Sequence, residues 1–299
     1  MNTRMLLAGT IPSEDISLIT GQAVLNAEHI SIGAASFPQN RGTAAMIAAA
    51  CSVATFFNEP PPFCVIGGDI GKRTGSRLVY RWLIKNLPKG DAAVCAFHYI
   101  VPDIGLHNQV LTALRKSSAR PCVIADAGFM YAAKASGQAP FYDLFIPDLG
   151  ELAFLADDKA THPAYTRGFL TRLENDPRAL ISRAYESGNA AQNMCVKGGT
   201  DFICSRGGIV ETIDTPSIEE LEPIGGTGDT ITGMVAGLTA HGFSVTEACT
   251  VACKANRLAG KLAAPTPATQ IGKIIEKIPE ALETILEKGS EDSRGRGFE

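Results

Sequence analysis

Residues 225–242 read GGTGDTITGMVAGLTAHG. From Thr230 onward the apolar residues fall at Ile231, Met234, Val235 and Leu238, the spacing of one buried helical face, so a helix is predicted whose first turn holds Asp229. The glycines ahead of it permit positive φ and close approach of another group, and a helix start leaves amide N–H groups unpaired. Bare backbone, free amides and the positive end of a helix together make an anion site. An aspartate in that first turn either stabilises the helix or is aimed at whatever carries the anion.

Upstream, short β-rich apolar runs alternate with longer amphipathic ones: FCVIGGD (63–69) with TGSRLVYRWLIKNL (74–87), AAVCAFHY (92–99) with NQVLTALRKS (108–117), PCVIADA (121–127) with GFMYAAKA (128–135), YDLFIPD (142–148) with GELAFLAD (150–157). Strands apolar on both faces and separated by helices mean a mostly parallel sheet covered on both sides, an α/β fold. Residues 161–190 read as polar and helical, with Asp176-Pro177 as cap and first helical position. NMCVKGG, TDFICSRGG and IVETID (193–214) read as antiparallel strands joined by glycine turns. A second long helix opens on Ser244 with Glu247 three residues on, a capping box, and a last amphipathic helix spans about 270–288. TAAMIAAACSVATFF (43–57) is a buried helix, too short for a membrane span. The expected division is an N-terminal extension at 1–60 packed on the main domain, a catalytic domain at 61–289 and a disordered charged tail at 290–299.

The chain of 299 residues is 45% hydrophobic and 19% charged, with a formal charge of −4. No basic run with interleaved aromatics is present, so nucleic acid is not an expected partner, and neither is a membrane. MNTRMLLAGTIPSEDIS at the start lacks the apolar stretch of a signal peptide. Eight cysteines lie singly in apolar stretches, without CxxC pairs; they read as small buried apolar residues of a protein in a reducing cytoplasm. Cys249 and Cys253 stand at i, i+4 spacing with no further metal ligands nearby.

VIGGDIGKRTGS (65–76) fails the P-loop spacing, because Ile66 stands five before Gly71 and Lys72 is followed by Arg73. It follows a strand and opens a helix, so it is either a resting place for substrate, with Gly67 and Gly68 in it, or a structural turn. GGTGD, by contrast, supplies two requirements of phosphoryl transfer at once: amides of Gly226, Thr227, Gly228 and Asp229 for phosphates, and a carboxylate beside the attacking hydroxyl.

GGTGDTITGMVAGLTAHG, followed by ANRLAGKLA (255–263), resembles the C-terminal signature of the ribokinase superfamily, and within it the ADP/ATP-dependent NAD(P)H-hydrate dehydratases. VIGGDIGKRTGSRL is similar to that family's VIGGS segment, VIADAGFM to its LDADALN, LFIPDLGEL to its LTPHPGE and VKGGTDFI to its LKGxxT. The likeness covers residues 63–265. The departures are Ile124 for an acid, Met130 for asparagine, Asp148 for the histidine of PHPGE, Asn256-Arg257 for H-G, and the lack of GPGxG after AVCAFHY.

The resemblance implies a ribokinase-like fold, ADP or ATP with Mg²⁺ as cofactors, and a small-molecule substrate bound by a homo-oligomer. Asp229 becomes the base that takes the acceptor's proton, and Gly225, Gly226, Thr227 and Gly228 the anion hole, with Lys197 steadying phosphate charge. Gly198 and Asn256 line the nucleotide pocket, Gly67, Gly68, Asp126 and Asp148 face the substrate, and Glu151 holds Mg²⁺ through water. The activity implied is repair of hydrated NADH or NADPH by phosphorylation of a hydroxyl and loss of phosphate. A kinase of a small alcohol needs the same base and anion hole; against a sugar kinase stands the absence of a strand-rich lid segment early in the sequence. A non-catalytic nucleotide-binding module is the third reading, and an intact Asp229 tells against it, since an anion gains nothing from a neighbouring carboxylate.

Overall fold

In a computed structural model, which describes residues 4–160 and 176–295, the run Met5–Ile11 forms the first strand, β1, buried throughout. It lies in the interior of the sheet, parallel to β5 (Phe63–Gly68) on one side and β6 (Val94–His98) on the other. β7 (Cys122–Ala125), β8 (Leu144–Phe145) and β9 (Asn193–Val196) continue the parallel array. The antiparallel β10 (Asp201–Ser205) and β11 (Gly208–Ile213) finish one edge. At the other edge β2 (Leu18–Leu25) runs antiparallel to β5 and is followed by β3 (His29–Ile32) and β4 (Ala35–Pro38). Among the described residues the spatial order is β11-β10-β9-β8-β7-β6-β1-β5-β2-β3-β4.

Alternation along each strand demands cover on both faces: in β1, Met5 and Leu7 enter one core, Leu6 and Ala8 the other. The first core is closed by α1 (Thr43–Phe56), α7 (Thr227–His241), α8 (Val245–Leu262), α9 (Ile271–Ile275) and the apolar stripe at the start of α10 (Ile278–Gly295). The second is closed by α2 (Thr74–Asn86), α3 (Ile104–Arg115), α4 (Gly128–Ala135), α5 (Leu149–Ala156) and α6 (Pro177–Glu186). The expected α/β order with a parallel centre is therefore the observed one. No helix among the described residues is long and apolar enough to cross a membrane.

The structure corrects the reading of the first 60 residues. They are not an addition packed on the main domain: β1 is an interior strand of the sheet, between β6 and β5, and α1 packs along α7 in its core. The alternation read from residue 63 begins with β1 and is interrupted by the β2–β4 antiparallel excursion, which hid it. That excursion is also the early strand-rich segment held to be absent, so the argument it gave against a sugar kinase lapses.

The last helix also differs. It divides into α9 and α10, with Pro279 in the first turn of the second, where a missing N–H is harmless. α10 continues to Gly295, so residues 290–295 of the expected tail are helical, while 296–299 lie outside the described residues. Residues 161–175 of the polar segment also lie outside them, and Asp176 caps α6 as expected, accepting from Arg178 N–H at 3.0 Å.

Candidate active site

The carboxyl ends of the parallel strands and two helix starts meet at Asp229. α7 begins at Thr227 after Gly226, whose φ of 110° no side-chain-bearing residue adopts easily, and Asp229 stands in its first turn as the sequence requires. A second helix start faces it. Gly42, at φ 81°, precedes α1 and donates its N–H to Asp229 Oδ2 at 2.6 Å. Positive ends of α1 and α7 thus converge on one carboxylate, the arrangement that favours negative charge.

Asp229 is one link of a buried chain. His98, at the end of β6, puts Nε2 3.1 Å from Asp229 Oδ1 and 3.5 Å from Asp126 Oδ2, lying off the hydrogen-bond line of both. Its Nδ1 is 3.1 Å from Thr43 Oγ1. Asp126, after β7, accepts from Lys197 Nζ at 3.1 and 2.9 Å and from Thr232 Oγ1 at 2.6 Å. Lys197 follows β9 directly, and its stem lies under Gly228, where an added Cβ would sit 3.2 Å from Cδ. Two carboxylates and two cations therefore alternate along a dry line.

The charges follow from that alternation. Burial works against the His98 cation, yet the two carboxylates outweigh it and push its pKa up to about 9. Burial would raise Asp126, but Lys197 and His98 hold it below the usual carboxylate range. Asp229 is likewise lowered, burial being overcome by His98 and then Lys197. Lys197 is raised, since Asp126, Glu151 and Asp229 outweigh its burial. His98, Asp126 and Asp229 offer one ligand-type atom each within 4.8 Å. Lys197 and the imidazole proton already supply the positive charge there, so the trio reads as an ion-pair chain.

Other expected residues fall into place differently. Asp126 is 1% exposed with its oxygens occupied, so it is a buried counter-charge and not the substrate contact expected. Asp148 is exposed and caps α5 in a capping box with Glu151; that cap, a device of helix ends, is what the aspartate supplies. Glu151 accepts from Asp148 N–H at 2.9 Å and from Tyr131 Oη at 2.6 Å. Burial and then Asp126 push its pKa up to about 7. With both oxygens engaged it suits a water-mediated contact to Mg²⁺ rather than a direct one.

Asn256 spends its amide on the first turn of α7, donating to Thr227 O at 3.0 Å and accepting from Thr230 Oγ1 at 2.7 Å. Gly198 lies in the β9–β10 turn, its N–H on Asp201 Oδ1 at 3.0 Å and its carbonyl taking Arg257 Nη2 at 3.0 Å. Gly225 is bare against Arg41, whose Cδ would stand 2.8 Å from an added Cβ. Gly67 packs on the Gly75 backbone. Gly68 lines a cavity of about 340 Å³ beyond the ends of β1 and β5, with Ser13, Asp69 and Lys72. Cys195 Sγ, not Cys249, is the sulfur neighbouring Cys253, at 3.5 Å.

Sequence reading missed Gly42, Thr43, His98, Tyr99 and Arg257. His98 had a usable signal, since open α/β sheets place ligands at the carboxyl ends of strands and it ends AVCAFH. Tyr99 follows it with φ 51°, half exposed, its ring edge-on to His98 at 4.4 Å and 3.8 Å from the place of a Gly42 Cβ. An aromatic residue held at positive φ beside Asp229 and His98 is a strained rim group.

The family profile described as NAD(P)H-hydrate dehydratase matches residues 102–280. The uncharacterized protein MJ1337 of Methanocaldococcus jannaschii is 41% identical over 242 residues, covering 81% of this chain and all of that protein. Among solved structures, the ADP/ATP-dependent NAD(P)H-hydrate dehydratase of Bacillus subtilis, co-crystallized with ATP/Mg²⁺, has a TM-score of 0.55 at 14% identity, covering 95% of this chain and 93% of that one. Phosphofructokinase-2 of Escherichia coli with fructose-6-phosphate has a TM-score of 0.54 at 16% identity over 94% of this chain and 99% of that one. These two likenesses establish the ribokinase-like fold.

Proposed function

The chain belongs to the NAD(P)H-hydrate dehydratase family, and from that membership and the geometry at Asp229 we propose that it transfers a phosphoryl group from ATP or ADP to a hydroxyl group of a small molecule. The observation that carries the reading is the convergence of two helix starts on one ionised carboxylate, Asp229, with the Lys197 stem lying under the neighbouring Gly228. Phosphates would rest on the amides of Gly226, Thr227 and Gly228, with Lys197 below. The acceptor oxygen attacks the terminal phosphorus, its proton passes to Asp229, and the bond to the bridging oxygen breaks as the shortened nucleotide leaves. Mg²⁺, bound to the phosphates and reached from Glu151 through water, would neutralise charge there.

The acceptor we favour is the hydrate of NADH or NADPH, whose phosphorylated hydroxyl then departs as phosphate while the neighbouring ring carbon loses its proton to water, the C–H electron pair restoring the double bond. Tyr99 supports it, because a half-exposed ring beside the base offers a stacking face to a flat acceptor, while Asp126 is withdrawn from binding hydroxyl groups. A kinase of a small alcohol is the second reading, favoured by the β2–β4 strands beside β5.

Two assays separate them: regained absorbance of reduced nicotinamide from the hydrate with ADP or ATP and Mg²⁺, and nucleotide-dependent phosphorylation of a panel of vitamin and sugar alcohols. Asp229→Asn keeps the helix start and removes the proton acceptor, so turnover should fall roughly 10²–10⁴-fold while the nucleotide still raises Tm. Near-normal turnover in that variant would sink the proposal.

A further inference from the structure

Two carboxylates, Asp126 and Asp229, approach one imidazole, and only one lysine lies among them. Lys197 holds Asp126 with two hydrogen bonds and does not reach Asp229. The second counter-charge must come from His98, which is fully buried and touches both acids. Its other nitrogen is provided for: as an imidazolium, Nδ1–H donates to Thr43 Oγ1 at 3.1 Å. Its place is fixed from behind, since a Cβ on Gly9 would stand 2.5 Å from the His98 carbonyl and 2.7 Å from Thr43 Cγ2. Bare backbone of β1 therefore packs against the His98 main chain and the Thr43 side chain at the start of α1 together.

We propose that His98, held doubly protonated between Asp126 and Asp229, is the positioning residue that keeps Asp229 ionised and aims its carboxylate. The inference rests on Asp229 being the base of the proposed reaction. With the imidazolium present, Asp126, Asp229, Lys197 and His98 sum to zero charge. Without it a net negative charge stands beside incoming phosphates, and one carboxylate takes up a proton to relieve the repulsion. Asp229, the link nearer solvent at 13% side-chain exposure against 2% for Asp126, is the one that can. Glu151 and Tyr99 also feel the pair, and Glu151 adds to the repulsion acting on Asp126. Gly42 N–H and His98 each take one oxygen of Asp229, so the carboxylate has a single orientation.

His98→Gln keeps a side-chain donor and removes the charge. Its nucleotide-induced rise in Tm should match that of the wild type. Its turnover should fall most at the acid end of the profile and recover toward the wild-type value by pH 9, the acidic limb of the rate profile moving up by a pH unit or more. An acidic limb coincident with the wild type's overturns the proposal. Asp229→Asn is assayed alongside: full turnover there removes the base reading itself, whereas a dead Asp229→Asn with an unmoved His98→Gln limb removes only the role of His98. Nitrogen-15 NMR of the wild-type histidines needs no folded variant. Both ring nitrogens of His98 should stay protonated at pH 7.5, and a neutral imidazole there overturns the proposal.

Discussion

Gly233 sits in α7 one turn beyond Asp229, where α7 crosses α1. A Cβ built on it overlaps the Met46 carbonyl oxygen and comes within 2.9 Å of Met46 C and 3.0 Å of Ala50 N, all backbone of α1. Ordinary contact begins near ~3.5 Å, so Gly233→Ala requires the two helices to part by roughly 1 Å. Overpacking against backbone should cost about 3 kcal/mol, the upper end for such changes, offset by about 1 kcal/mol of helix propensity gained on replacing glycine. The net of about 2 kcal/mol predicts a fall in Tm of about 4–8 °C. The same displacement separates the start of α1 from that of α7, breaking the Gly42 to Asp229 contact of 2.6 Å. Misplacement of about 1 Å at a reacting group costs about 10²-fold in rate. Gly105→Ala, at the start of α3 and away from this crossing, is the control, because the nearest atom to its Cβ is Asp103 Oδ1 at an ordinary 3.6 Å. Calorimetry and turnover on the two variants decide the matter: a Gly233→Ala protein as stable and active as the wild type would refute the claim that this crossing sets the site.

Two further outcomes follow from the charge pattern. The folded-state pKa of His98 is raised from 6.5 to about 9, so the stabilisation it brings is complete below pH 6.5 and is lost as pH rises through about 9; Tm measured from pH 6.5 to 9.5 should decline more in the wild type than in His98→Gln, and parallel curves would contradict this. Arg257 Nε pairs with buried Asp201 at 2.8 Å and its other nitrogens hold the carbonyls of Gly198, Gly199 and Asp214; Arg257→Met should therefore cost about 3–5 kcal/mol in urea unfolding, a loss under about 1 kcal/mol being the contrary result.

The legible parts of the molecule are those in which neighbouring residues decide the structure. GGTGD announced its helix start because glycine freedom, free amides and the apolar spacing after it are local properties. The parallel strands from 63 onward were legible for the same reason, each run bounded by its own turn. β1 was not, because MLLAGTI is followed by an antiparallel excursion and the strand's central place depends on pairing with Phe63–Gly68 and Val94–His98. Asp126 was placed correctly at a strand end but given the wrong neighbour. Its withdrawal from solvent depends on Lys197, 71 residues away, and Thr232, 106 away. Gly42 lies 187 residues from Asp229, and a lone glycine before an alanine-rich helix carries no sign of that contact.

The division between legible and hidden residues coincides with one along the chain. The family profile matches 102–280, and that span holds Asp126, Glu151, Lys197, Asp229 and Asn256. Gly42, Thr43, His98, Tyr99 and the cavity wall at Ser13 and Gly68 all precede it. As the base of the proposed reaction, Asp229 would need two kinds of constraint, one from the nucleotide and one from the acceptor, and the two would come from opposite ends of the sequence. On the proposed reaction the phosphate half can be shared by every enzyme that handles the same nucleotide, while the first hundred residues would meet the acceptor side of Asp229. The proposal accordingly puts acceptor choice in β1, the β2–β4 strands, the start of α1 and the end of β6, and substitutions there should change which hydroxyl is used before they change how the nucleotide is held.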